Sequence, residues 1–141
     1  MLIGWKPITV LALLGTGAGA LVSQANQSQG VTRQTAFEAN LPNLPGQRIS
    51  GFLVSYAPGA GSRPHHHTAR GSVMVYVLEG EVRSQVNDGP VTIYKAGESW
   101  QEPPGAAHRV AENASATKPA RLLAIFVADS GAVLTTVDSL P

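Results

Sequence analysis

Four histidines carry the chemistry most open to this chain, and three of them stand in a row: His65, His66 and His67, directly after Pro64. In an extended segment successive side chains alternate between faces, so His65 and His67 share one face and His66 takes the other. Two imidazoles so spaced can grip one divalent metal with little rearrangement, and neutral imidazole is the commonest metal ligand. The ordinary alternative is a basic cluster on a loop. His66, on the opposite face, belongs to the rim or to solvent. The fourth, His108, follows Pro103-Pro104-Gly105-Ala106-Ala107. A turn there that feeds a strand would aim a third imidazole into the same interior and make a facial three-nitrogen site. The chain has no cysteine, which excludes disulfides, thiolate metal ligands and a Cys nucleophile. A thiolate-free imidazole site suits Fe(II), Mn(II), Ni(II), Cu(II) or Zn(II) and is a poor cage for hard cations. Open coordination positions on such an ion could activate a substrate through its oxygens or bind dioxygen.

The elements that must position these rings read as short strands. The chain contains 15 Gly and 10 Pro, which favour tight turns over long helices. Val31–Phe37 and Arg48–Ala57 read as strands, separated by a turn-rich connector from Asn40 to Gly46. Ser72–Leu78 carries Val-Met-Val-Tyr-Val-Leu, and Glu81–Val86 places Val82, Ser84 and Val86 on one face. Asn87-Asp88-Gly89-Pro90 is a strong turn signal. Val91–Tyr94, Glu98–Gln101, Ala107–Ala111, Arg121–Ala128 and Val133–Val137 complete about nine short strands, spaced roughly every 8–12 residues, as in a sandwich or closed barrel. No segment after the N-terminal stretch holds a helical period over three turns, and neither an internal repeat nor a Gly-rich phosphate loop is evident.

The N-terminus is read apart from the fold. Met1–Lys6 carries one positive side chain, Pro7–Val22 is uncharged and mostly apolar, and Ser23-Gln24-Ala25 offers small residues for cleavage after Ala25. Ala18-Gly19-Ala20 offers an earlier site. This pattern predicts a secretory signal peptide over 1–25 and a periplasmic or secreted protein. The apolar stretch is short for a spanning helix, so an uncleaved membrane anchor is the alternative. The remainder divides into an N-terminal arm and linker over 26–47 and a barrel over 48–137. Composition excludes other classes. Hydrophobic residues make up 43% and charged residues 13%, with a formal net charge of +1. That is too apolar for a disordered chain, and no basic run could track a phosphate backbone.

Two motifs give a resemblance. Gly59, five residues, His65-His66-His67 and then Gly80 resembles the first motif of the cupin superfamily; Gly97, five residues, Pro103-Pro104-Gly105, two residues and His108 resembles the second. The likeness runs from Gly51 to about Ala128. It implies an all-β double-stranded β-helix barrel, with a metal deep inside and His65, His67 and His108 at metal-binding positions. It also implies that three-His iron relatives are dioxygenases. Two departures stand out. Where the family commonly has a Glu ligand this chain has Val73, and the Asn that often ends the second motif is displaced from position 112, here Glu, to Asn113. Glu102, beside Pro103, is the spare carboxylate that could replace the missing ligand. A salt bridge to Arg109 or Arg63 is its ordinary alternative.

Trp100 shares the face of Glu102 and is expected as a pocket wall, joined by Tyr56, Met74, Tyr76 and Phe126. The reading is then a small exported cupin with a divalent transition metal, acting on a small oxygen-rich molecule as an oxygenase, isomerase or decarboxylase. The alternative is a non-catalytic cupin that binds a small ligand or metal. Neither nucleic acid nor, after cleavage, a membrane is an expected partner. A homodimer is expected, because cleavage removes Lys6 and leaves the chain neutral, with spare strand edges and an N-terminal strand that could be exchanged.

Overall fold

The structure is a computed structural model that describes residues 28–139; the expected signal peptide over 1–25 lies outside the described residues. Those residues form ten strands and no helix: β1 (Val31–Asn40), β2 (Gln47–Tyr56), β3 (His65–His67), β4 (Gly71–Glu79), β5 (Glu81–Val86), β6 (Thr92–Lys95), β7 (Ser99–Glu102), β8 (Ala107–Asn113), β9 (Ala120–Asp129) and β10 (Thr135–Val137). Nine of these meet the strands expected from sequence with small shifts of their ends. The tenth is the His65–His67 run itself.

The strands build two five-stranded sheets, ordered β1-β2-β9-β4-β7 and β10-β3-β8-β5-β6, and every pairing is antiparallel. The sheets face each other. His67 of one packs edge-on against Phe126 of the other, with ring centroids 5.2 Å apart. Between them lie Phe52, Tyr56, Val73, Val75, Val77, Val82, Leu122 and Phe126, all buried. This two-layered, all-β arrangement is the architecture that the motif resemblance implies. The N-terminal arm is not loose from Val31 on, since β1 pairs with β2 along its length.

Alternation along β4 decides which side chains reach the interior. Val73, Val75 and Val77 are buried, whereas Met74 and Tyr76 are 46% and 43% exposed. The expectation that Met74 and Tyr76 line the pocket is therefore corrected. Both faces of this strand are apolar, so hydrophobicity alone could not choose its parity. The choice comes from pairing: β4 opposes β7 with Val73 facing Glu102 and Met74 facing Gln101, and a slip of one residue would turn every side chain over.

The motif glycines act through backbone shape. Gly59, Gly80, Gly97 and Gly105 all have positive φ, from 70 to 93°, where a Cβ is strained. At Gly80 a Cβ would also meet the Pro119 carbonyl at 2.4 Å, so the β4–β5 turn tolerates no side chain.

Candidate metal centre

Three strands supply the site. His65 and His67 point inward from β3, and His65 lies directly across from His108 on β8. His66 faces Ala107 and turns outward, where Nδ1 lies 2.7 Å from Asp138 Oδ1. One ligand-capable atom from each of His65, His67 and His108 falls within 4.8 Å of the others. The three rings are buried, with centroids 4.9 to 6.2 Å apart.

Each ring is held from behind. His65 Nδ1–H donates to the Arg63 carbonyl at 2.7 Å. His67 Nδ1 lies 3.2 Å from the Leu134 carbonyl and 3.2 Å from Thr135 Oγ1, so the segment leading into β10 orients it. Both bonds leave Nε2 lone pairs for the interior. His108 Nε2 meets Ser84 Oγ at 2.9 Å; with Nε2–H donating, Nδ1 turns its lone pair inward. Such backing hydrogen bonds fix tautomer and orientation in metal-binding histidines. Sequence reasoning missed Ser84, Leu134 and Thr135 as ring supports. The signal for Ser84 was a lone hydroxyl on the otherwise apolar Val82–Val86 face of β5. Nothing local announced the other two.

Glu102 completes the cluster from β7, fully buried at 0% exposure. Its partner is neither Arg109, which pairs with Asp88, nor Arg63. Trp100 Nε1–H donates to Oε1 at 2.9 Å, and Oε1 lies 3.4 Å from His108 Nδ1. Oε2 stands 3.0 Å from His67 Nε2, yet no aligned hydrogen bond reaches it. His67 Nε2 is its nearest polar neighbour, and Nδ1 on the far side of that ring is already engaged by Leu134 and Thr135. A buried carboxylate oxygen in such a place needs a cation or a proton. Because Val73 and Glu102 are cross-strand neighbours, the acid comes from the strand beside the family's usual position.

Electrostatics keep His65, His108 and Glu102 in the metal-ready forms. Burial pushes His108 down to about 4, against the raising effect of Glu102, with the other two rings lowering it further. His65 is also lowered, chiefly by burial and in spite of its bond to the Arg63 carbonyl. Burial raises Glu102, but its contact with His67, the nearness of His108 and the Trp100 bond outweigh it and hold the carboxyl below its usual range. At neutral pH His65 and His108 are therefore neutral beside an ionised carboxylate, as metal coordination requires.

In front of the cluster lies a cavity of about 290 Å³, near the lower bound for small-ligand pockets. Tyr56, Phe52, Phe126, Val73 and Val75 line it. Trp100 does not. It sits behind Glu102, stacked on Tyr94 at 4.5 Å, so its expected place in the pocket wall is corrected: it supports the carboxylate from the core side. Asn113 is buried and structural, its Nδ2 donating to the Ala57 and Lys118 carbonyls at 3.1 and 2.7 Å.

The Cupin domain family model matches residues 52–126, more than half of the chain, and the protein belongs to that family. Solved structures agree on the fold. An uncharacterized conserved protein with a double-stranded β-helix domain from Klebsiella pneumoniae is 22% identical, with a TM-score of 0.59 over 79% of this chain and 87% of its own. A cupin 2 conserved barrel domain protein from Rhodopseudomonas palustris is 18% identical, with a TM-score of 0.61 over 83% and 72%. A recombinant oxalate oxidase in complex with glycolate is 22% identical, with a TM-score of 0.59 over 82% of this chain and 57% of that one. No curated protein sequence matches the chain.

Proposed function

We propose that this protein is an exported small cupin that holds one divalent transition metal through His65, His67, His108 and Glu102 and acts on a small oxygen-rich molecule. The observation that carries the reading is the fully buried Glu102 Oε2, which has no aligned hydrogen bond and stands 3.0 Å from His67 Nε2. A cation between them satisfies both, and the donor set of nitrogens with one carboxylate suits Fe, Mn, Ni, Cu or Zn. When bound, the metal supplies a Lewis acid, or a dioxygen site, open toward the cavity. The protein's own part is to hold three rings by their rear hydrogen bonds, to keep Glu102 ionised, and to wall the cavity beside them with Phe52, Phe126 and the valines.

Oxygenase, isomerase or decarboxylase chemistry fits this arrangement. Val73 supports the second reading, a non-catalytic binder, because it leaves Glu102 as the only carboxylate lining the cavity among the described residues. Turnover of small hydroxy and oxo acids by the metal-loaded protein, followed by oxygen uptake together with NMR of the products, separates the two. Export is part of the proposal, and an N-terminus near Asn26 or Leu21 on the exported protein is its check.

Elemental analysis of purified variants tests the site. His65→Ala, His67→Ala and His108→Ala should each lose most of the metal. Glu102→Gln keeps the shape but removes the charge, and should weaken retention by at least about tenfold, as loss of a charged partner does. His66→Ala should retain wild-type metal. Loss of metal from the His66 variant with retention by the His65 variant would overturn the assignment.

A further inference from the structure

The cavity has a cation at its mouth that the metal centre does not use. Arg33 stands on the inner face of the edge strand β1, opposite Val54 of β2. Its guanidinium carbon lies 3.6 Å above the centroid of the Phe52 ring. Phe52 in turn packs edge-on against Phe126 at 5.7 Å, and Phe126 against His67 at 5.2 Å. Two aromatic rings thus join the guanidinium to the imidazole cluster along one wall, and all four residues line the same cavity.

The guanidinium is held but unpaired. Stacking on an aromatic face fixes its plane, and desolvation against that face lowers its pKa, with Glu38 pulling the other way. Glu38 is engaged elsewhere, 2.7 Å from Arg48. Arg33 forms no ion pair among the described residues, and neither does Arg63, which lines the same cavity. With Glu102 ionised and the two arginines charged, the cavity carries positive charge in excess before any metal is added. A planar donor fork seated on an aromatic face and left open to solvent matches the geometry of a carboxylate.

We infer that Arg33 is a specificity-determining residue that anchors the carboxylate of a small anionic ligand whose other oxygen-bearing end reaches the histidine cluster. The inference rests on the proposed function for the metal end and on Arg33 alone for the anionic end. The ligand class is a small aliphatic acid: the volume lies near the lower bound for small-ligand pockets, and the wall between the two ends is apolar.

The test uses a matched pair, 3-hydroxypropanoate and its neutral amide, titrated by ligand-observed NMR into Zn(II)-loaded full-length protein. The acid should bind about tenfold more tightly than the amide, the effect expected of one charge-assisted contact. Arg33→Gln should erase that preference while metal content stays at the wild-type level. Arg33→Lys, which keeps the charge and also guards against a folding defect in the Gln variant, should retain part of it. Equal binding of acid and amide to the wild type, or a preference that survives Arg33→Gln, overturns the inference. If the wild type takes up no metal, the proposed function falls by itself. The same pair titrated into metal-free protein then decides the anchor: an Arg33-dependent preference upholds it, and its absence overturns it.

Discussion

Replacing Ser84 by Ala deletes one oxygen from the barrel interior and with it the acceptor for His108 Nε2–H. Ser84 and His108 are 2% and 6% exposed, so water does not take the place of the lost hydroxyl. A buried donor left without a partner costs about 1–3 kcal/mol. At roughly 4 °C per kcal/mol for a domain of this size, the melting temperature of the metal-free protein should fall by about 4–12 °C. Because the ring loses the bond that fixes its tautomer, metal affinity should fall about 10–100-fold, the usual cost of removing an outer partner of a metal-binding His. Calorimetry on metal-free protein at pH 7.5, well above the value of about 4 for His108 in the wild type, reads the first effect. Competition against a chromophoric chelator reads the second. Nitrogen-detected NMR should also show the Nε2–H tautomer of His108 in the wild type and a mixture in the variant. An unchanged melting temperature together with unchanged metal affinity would refute the role given to Ser84.

Acid should destabilise the metal-free protein in a defined window. His108 is depressed to about 4 in the folded state against about 6.5 unfolded, so its neutral form supports the fold above about 6.5, and that support is lost as pH falls toward 4. The loss is on the order of 3 kcal/mol, with His65 adding in the same direction; urea titrations from pH 7.5 to 4 should show it, and His108→Gln should flatten the curve. We also propose a homodimer through the outer face of the β1-β2-β9-β4-β7 sheet, where Phe37, Met74 and Tyr76 are exposed at 42, 46 and 43%, an apolar patch of the kind that marks an interface. Met74→Lys should then halve the mass seen by light scattering at tens of micromolar, whereas a wild-type monomer at that concentration would end the proposal.

Much of the site was legible in the residues alone. Alternation put His65 and His67 on one face and His66 on the other, and the structure keeps that division. Turn chemistry was equally local: the glycines at 59, 80, 97 and 105 stood out in the sequence, and all four take a backbone shape that side chains resist. Expecting strands rather than helices followed from the same punctuation. Phe126 and Tyr56 were expected in the pocket wall and line it.

What stayed hidden depends on long-range register. The run Val-Met-Val-Tyr-Val-Leu is apolar on both faces, and only pairing of β4 with β7 and β9 turns the valines inward and leaves Met74 and Tyr76 outside. Glu102 could be named from sequence as a spare carboxylate. Its closeness to His67 exists only because β7 is laid against β4, across from Val73. Trp100 shares its face with Glu102, as spacing implied, but packing with Tyr94 decides that it backs the carboxylate instead of lining the cavity. Ser84, Leu134 and Thr135 come to the rings from β5 and the segment entering β10, and Arg33 reaches the cavity mouth from the first strand. A residue's own neighbours settle its backbone conformation and the face it shares. Which strand lies beside that face, and therefore which groups meet there, is set by hydrogen-bonded pairing between segments distant in sequence, and only the assembled barrel determines it.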